Sequence, residues 1–295
     1  MRRFFALLLA LAAASPAAAQ MMVRPTDNSD ISALGDEFDA ASSLAAWQRF
    51  DGTGGWPDMT RKIDVNATAP GSLYLEPFSS GWYAELHAPY VFRTVTGNFD
   101  VTARVRVSGL GTDVPQRTWS LAGLMVREPR QEGPQAWTPR GENWLFITTG
   151  VAAQPGVPVF ETKTTVNSRS NLKLRPARSG WVELRIVRWG PVFVLLSKYD
   201  GEGWQVMERF YRADLPTTVQ VGLNAYSDWD SLGELRDDPV RANTTVVRDG
   251  RPDLALRVDW IRFRRPPATG GSPLAIADYD FPASRILSLL GEAGG

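Results

Sequence analysis

The chain has 295 residues and no cysteine, which removes disulfides, thiolate nucleophiles and cysteine-based zinc sites together. Lysines plus arginines number 32, as do aspartates plus glutamates, so nothing resembles the polycation that grips nucleic acid or anionic lipid. Stability must come from an apolar core, and this length suits one large domain or two small ones.

Residues 1–19 read as an export signal. Arg2 and Arg3 give the positive start, Phe4 to Ala14 the apolar stretch, and Ala17-Ala18-Ala19 a small-residue cleavage site before Gln20. The apolar stretch is too short for a spanning helix, which needs roughly 20 residues. The expectation is export to the periplasm or the medium without membrane insertion. The signal and the arginine-rich basic side look bacterial. Residues 20–35 are a polar leader.

The expected domain runs over 36–265. Short strand patterns appear at 36–38, 73–77 and 83–86, with a loop marked by Gly52, Gly54, Gly55 and Pro57. The clearest strand is 99–107. Phe99, Val101, Ala103, Val105 and Val107 fall on one face, and Asp100, Thr102, Arg104 and Arg106 on the other. A period of two gives one core face and one polar face. Residues 120–126 form a more apolar strand suited to a central position, and 144–148 follows a long loop at 129–141. Val182, Leu184 and Ile186 alternate with Glu183 and Arg185, Gly190-Pro191 turns the chain into 192–197, and Asp200-Gly201 turns it again into 204–210. Strands at 218–225 and 254–263 close the domain. Many short strands with no βα alternation predict an all-β fold of two antiparallel sheets. Residues 266–295 form a linker and a C-terminal tail, in which 283–290 has the pattern of a two-turn helix that either docks back or frays.

Several segments resemble a known group. Asp36-Glu37-Phe38-Asp39 with Leu44 and Trp47 resembles the opening of concanavalin A-like lectin/glucanase domains, and Gly97 to Val105 resembles their G-x-F-x-V-x-A-x-V strand. Ala122-Gly123-Leu124-Met125-Val126-Arg127 is similar to the A-G-L-M-V-R strand of uncharacterised secreted bacterial β-sandwich (DUF1349-like) domains. Ser197 to Trp204 resembles their S-x-D-G-x-x-W hairpin with one extra residue before the aspartate. Val221 to Ala225 and Val258 to Phe263 resemble their closing strands. The resemblance covers 36–265 in order and implies a jelly-roll β-sandwich. Its members include carbohydrate-binding domains, glycoside hydrolases and domains of no assigned activity, so it leaves function open.

No catalytic set is visible. Glycosidases need two carboxyls about 5–5.5 Å or about 6.5–9.5 Å apart. The resembled glucanases carry them as E-x-D-x-E or E-x-D-x-x-E on one strand, and this chain has no such strand. Glu128, Glu132 and Glu142 around the 129–141 loop are the nearest substitute. His87, the single histidine, has no serine or cysteine nucleophile motif beside it and reads as structural.

Sugar recognition asks less: aromatic rings for the apolar faces of pyranoses and polar groups for the hydroxyls. The candidates are Trp82, Tyr83, Trp137, Trp144, Tyr226 and Trp229, with Arg104, Arg106, Arg127 and Asn143 as polar partners. Each also has a packing or salt-bridge reading. In several proteins of the resembled fold, a structural calcium ion sits where the first and last strands meet, and Glu37 and Asp259 are the corresponding acids. Asn66-Ala67-Thr68 and Asn243-Thr244-Thr245 are glycosylation sequons, relevant only in a eukaryotic secretory pathway. The expected function is a secreted, non-catalytic domain that binds a polysaccharide or glycan, or another component of the cell envelope. The alternatives are a glycoside hydrolase or polysaccharide lyase using carboxylates on the concave face, and a purely structural domain.

Overall fold

A strand that is apolar on one face stays stable only when a second apolar sheet covers that face. In the computed structural model, which describes residues 29–130 and 132–292, two seven-stranded antiparallel sheets do this for each other. The strands in chain order are β1 (Gln48–Arg49), β2 (Thr60–Val65), β3 (Leu73–Pro77), β4 (Tyr90–Thr96), β5 (Phe99–Ser108), β6 (Ser120–Arg127) and β7 (Trp144–Val151). They continue as β8 (Pro158–Val166), β9 (Arg169–Pro176), β10 (Trp181–Trp189), β11 (Val192–Tyr199), β12 (Gln205–Tyr211), β13 (Thr218–Tyr226) and β14 (Ala255–Arg264). Sheet I runs β1-β4-β13-β6-β7-β8-β9, and sheet II runs β12-β11-β10-β5-β14-β3-β2. The protein is an all-β sandwich of jelly-roll-like architecture. The export signal and residues 20–28 of the leader lie outside the described residues.

The core follows the period-two pattern. Phe99, Val101, Ala103, Val105 and Val107 of β5 are all buried there with Val182, Leu184 and Ile186 of β10. From sheet I, Leu124 of β6 and Val219, Val221 and Leu223 of β13 face them. Gly190 and Gly201, at the two expected turns, have φ of 56° and 80°, values that glycine adopts without strain.

The sequence pattern misplaces some elements. Tyr83 and Leu86 form only an isolated bridge, because Ala84 at φ 51° breaks the extended run between them. Around 36–38 only Asp36 pairs, with Ile261, and Phe38 at φ 54° ends the extension. Strands β1, β2, β4, β8 and β9 lie outside the expected set. β4 shows no apolar–polar alternation in its first half, since Tyr90 and Phe92 are buried on the outer face while Val91 is buried in the core. β8 and β9 are joined by Asn167 and Ser168, both at positive φ (45° and 65°), a hairpin turn without the usual glycine.

Both outer faces carry a further buried layer. On sheet I an aromatic cluster that includes Phe50, Trp56, Trp82, Tyr90, Trp137, Trp144 and Tyr226 lies beneath the loops, so β6 and β7 are buried along their whole length. On sheet II the C-terminal helices Leu274–Ala277 and Ala283–Leu289 dock across β10, β11 and β12. Ile276, Ile286, Leu287 and Leu290 meet Val187, Trp189, Val194, Leu196 and Trp204. The tail therefore packs back on the domain.

Candidate functional site

Side chains two apart on a strand share a face, so β8 turns Glu161 and Lys163 together toward the outside of sheet I. Tyr226 stands on the same face at the end of β13, and Trp229 follows after Asp228 bends the chain at φ 60°. The segment 79–83 is tied to this end of β13 by Ser80 N–H donating to the Ser227 carbonyl at 3.0 Å. Gly81 lies flat against Trp229, where a Cβ would come within 2.7 Å of the indole. Trp119 enters from the start of β6.

These elements enclose a cavity of about 360 Å³. Its walls are Trp82, Tyr83, Trp119, Tyr226 and Trp229, with Leu172 and Lys163 completing the lining beside Gly81. Tyr83 and Trp229 meet edge to face at 5.9 Å. Tyr83 is 44% exposed and forms the rim. Lys163 is buried. Its ammonium lies 2.8 Å from Glu161 Oε1 and donates to the Trp82 carbonyl at 2.9 Å. The ring centroids of Phe146, Tyr83, Tyr226 and Trp119 surround it at 5.1, 5.4, 5.6 and 5.8 Å. Burial lowers the lysine pKa and the Glu161 carboxylate opposes that shift. The Tyr226 hydroxyl donates to Glu161 Oε2, and burial, then Glu161, raises its pKa, so the phenol stays protonated. The arrangement is a ring-lined hollow with a hydrogen-bonding floor. Among the described residues no carboxylate lines the cavity, and Glu161 sits beneath it against Lys163 and Tyr226.

Four of the residues expected from sequence, Trp82, Tyr83, Tyr226 and Trp229, are brought together here. The others stand elsewhere. Trp137 and Trp144 are buried in the aromatic cluster. Arg127 is buried and bonds Glu142 Oε2 at 3.0 Å, and Asn143 donates to Glu128 at 2.9 Å while accepting from Asn167 N–H. Arg104 and Arg106 face outward on sheet II, paired with Asp200 and Asp259 and with Asp113. His87 lies 3.2 Å from Glu142, among Phe50, Trp56, Trp82 and Trp137. Glu142 also accepts from Arg130 and from the Trp137 indole, which leaves it fully engaged. Asn243 is buried and bonded to His87 N–H and the Glu85 carbonyl.

The pair considered for calcium is held by arginines. Glu37 accepts two bonds of 2.8 Å from Arg262, and Asp259 accepts one of 2.8 Å from Arg104. A register shift between Val258 and Trp260 makes Asp259 the bulged residue of β14, which lets a charged side chain leave an otherwise apolar run. No group of three or more histidines, aspartates or glutamates suited to a metal converges among the described residues.

Lys163, Glu161, Trp119 and Leu172 were not anticipated. The signal for two of them is the run Glu161-Thr162-Lys163 between Phe160 and the turn at 167–168, where two opposite charges fall on one face of a strand.

No family model matches this sequence, and no curated protein matches it. Among solved structures, the fold is similar to the GH43 protein BlXynB from Bacillus licheniformis, at 15% identity and a TM-score of 0.52. It is also similar to Bacteroides ovatus xyloglucan PUL GH43B, at 15% identity and a TM-score of 0.50. Each alignment covers 79% of this chain, which spans only 39% of the length of each of those chains. A lectin from Bauhinia forficata in complex with GalNAc aligns at 10% identity over 80% of this chain and 99% of its own, with a TM-score of 0.46. The likeness is one of fold alone, an antiparallel two-sheet sandwich.

Proposed function

We propose that this chain is an exported, non-catalytic carbohydrate-binding domain of the concanavalin A-like group, nearest in its strand motifs to the DUF1349-like domains. Its sugar site is the cavity between Tyr83, Trp119 and Trp229. The observation that carries this reading is the lining itself. Four aromatic side chains, Trp82, Tyr83, Trp119 and Trp229, stand over a floor of Lys163 and Tyr226, and no carboxylate among the described residues lines the space. Rings cover the apolar faces of a pyranose, and the floor meets its hydroxyls. Export rests on residues 1–19. The test is tryptophan fluorescence and calorimetric titration against a polysaccharide and oligosaccharide panel. Binding is expected, and Tyr83→Ala and Trp229→Ala should each weaken it by about tenfold or more, the scale of one lost stacking contact. A panel with no binder at millimolar concentration sinks the proposal.

One observation favours a second reading, a hydrolase or lyase. Glu161 is a buried carboxylate directly under the cavity floor, hydrogen-bonded to a phenol. Release of reducing or unsaturated ends from the same panel, abolished by Glu161→Gln, would support catalysis.

A further inference from the structure

We infer that the cavity takes an uncharged sugar residue and discriminates against uronates, with one ligand hydroxyl accepting a hydrogen bond from Lys163. The inference rests on the sugar-binding reading above and adds the class of sugar.

An ammonium has three N–H donors. That of Lys163 donates to the Trp82 carbonyl and is ion-paired with Glu161 Oε1 at 2.8 Å, and the lysine still lines the cavity, so a ligand there meets an N–H that the carbonyl does not take. Lys163 is the one charged side chain among the described residues of that lining. It would attract an acidic sugar only if its charge were uncompensated. Glu161, fully buried at 2.8 Å, compensates it. A ligand carboxylate on Nζ would then lie close to a second carboxylate in a poorly solvated site. Repulsion would cancel most of its attraction to lysine while its desolvation cost remained.

The walls act in the same direction. Aromatic faces are the negative side of the ring quadrupole, and three of the lining rings, Tyr83, Tyr226 and Trp119, stand 5.4–5.8 Å from the ammonium. They favour the lysine and oppose an anion beside it. A cationic sugar would face Lys163 itself. A hydroxyl, by contrast, loses little on leaving water when a donor replaces its hydration.

The experiment titrates the full chain, at low ionic strength, with matched neutral and acidic oligomers. Cello- and manno-oligosaccharides are compared with glucuronan and mannuronan oligomers of equal length. Neutral oligomers are expected to bind at least about tenfold more tightly than their acidic counterparts. Glu161→Gln leaves Lys163 uncompensated and should narrow that ratio by about tenfold or reverse it. Equal or tighter binding of the acidic oligomers to the native chain overturns this inference while leaving sugar binding intact. So does an unchanged ratio in a Glu161→Gln protein whose near-ultraviolet circular dichroism is native. If that variant fails to fold, the native-chain ratio decides. Binding of neither series removes the sugar site and this inference together.

Discussion

His87 and Glu142 show how one buried cluster makes stability depend on acid. Burial lowers the His87 pKa below its ordinary 6.5, with Glu142 opposing and Arg127 and Arg130 adding to the shift. Burial alone would raise Glu142, but Arg127, then His87 and the Trp137 indole, hold it well below the usual carboxylate range. Both groups bind protons less readily folded than unfolded, so each contributes stability that is complete above its unfolded pKa and lost as pH falls. For His87 the loss begins near 6.5 and for Glu142 near 4.5. Denaturant unfolding from pH 8 to 4 should therefore show stability falling below pH 6.5. His87 contributes at most the single-proton slope of about 1.4 kcal/mol per pH unit. His87→Gln should remove that component and keep the fall below pH 4.5, whereas an unchanged profile would mean His87 is not its source. Arg127→Met should cost about 3–5 kcal/mol at neutral pH, because it strips a buried carboxylate of its main partner. Sequence alone identified His87 as structural for want of a nucleophile. It named Glu142 only among the carboxylates around the 129–141 loop and did not pair it with His87, because the contact joins segments 55 residues apart.

The docked tail makes its own stability argument at the level of elements. Without it, Val187, Trp189, Val194 and Leu196 would be an open apolar face on sheet II, and the chain would lose Glu292, which bonds Arg185 at 2.7 Å. Ile286→Ala, at a fully buried position, should lower stability by about 2–5 kcal/mol. Termination after Pro267 should lower the melting temperature further and produce binding of an apolar dye, both read in one thermal scan. A truncated chain that melts like the full one would show that the tail packs without contributing. Calcium is expected to leave the melting temperature unchanged, since Glu37 and Asp259 each already engage an arginine; a rise would mean a site that displaces those pairs. Strands were legible where one face is core and the other wet, as in β5 from Thr102 onward. β4 was not, because the outer layer buries its other face and removes the polar half of the signal. β8 was hidden for the opposite reason: Glu161, Lys163 and Thr165 look like a solvated run but are buried together. Of the cavity, its aromatics could be named, while their convergence depends on strand order. β13 lies three places from β8 in sheet I, which no local pattern states.

For the molecule as a whole, strand order separates what holds the fold from what meets a ligand. β1 pairs with β4, β4 with β13 and β5 with β14, so partners far apart in sequence must meet before either sheet closes. Such non-local pairing slows folding relative to a helical chain of the same length. The resulting core lies between the sheets, whereas the cavity sits on the outer face of sheet I and is rimmed by loops. A core truncation should therefore change stability without changing affinity, and a rim truncation chiefly affinity. Leu124→Ala, on β6 and fully buried between the sheets, should cost about 2–5 kcal/mol while the folded protein keeps its ligand Kd. Tyr83→Ala, which loses the edge contact with Trp229, should cost no more than about 1.5 kcal/mol yet weaken binding. The double variant should show the sum of the two stability changes to within about 0.5 kcal/mol, as expected of sites that share no partner. Coupling well beyond that, or a loss of affinity in Leu124→Ala, would mean that the core of the sandwich shapes the cavity and that the two layers of sheet I are not independent.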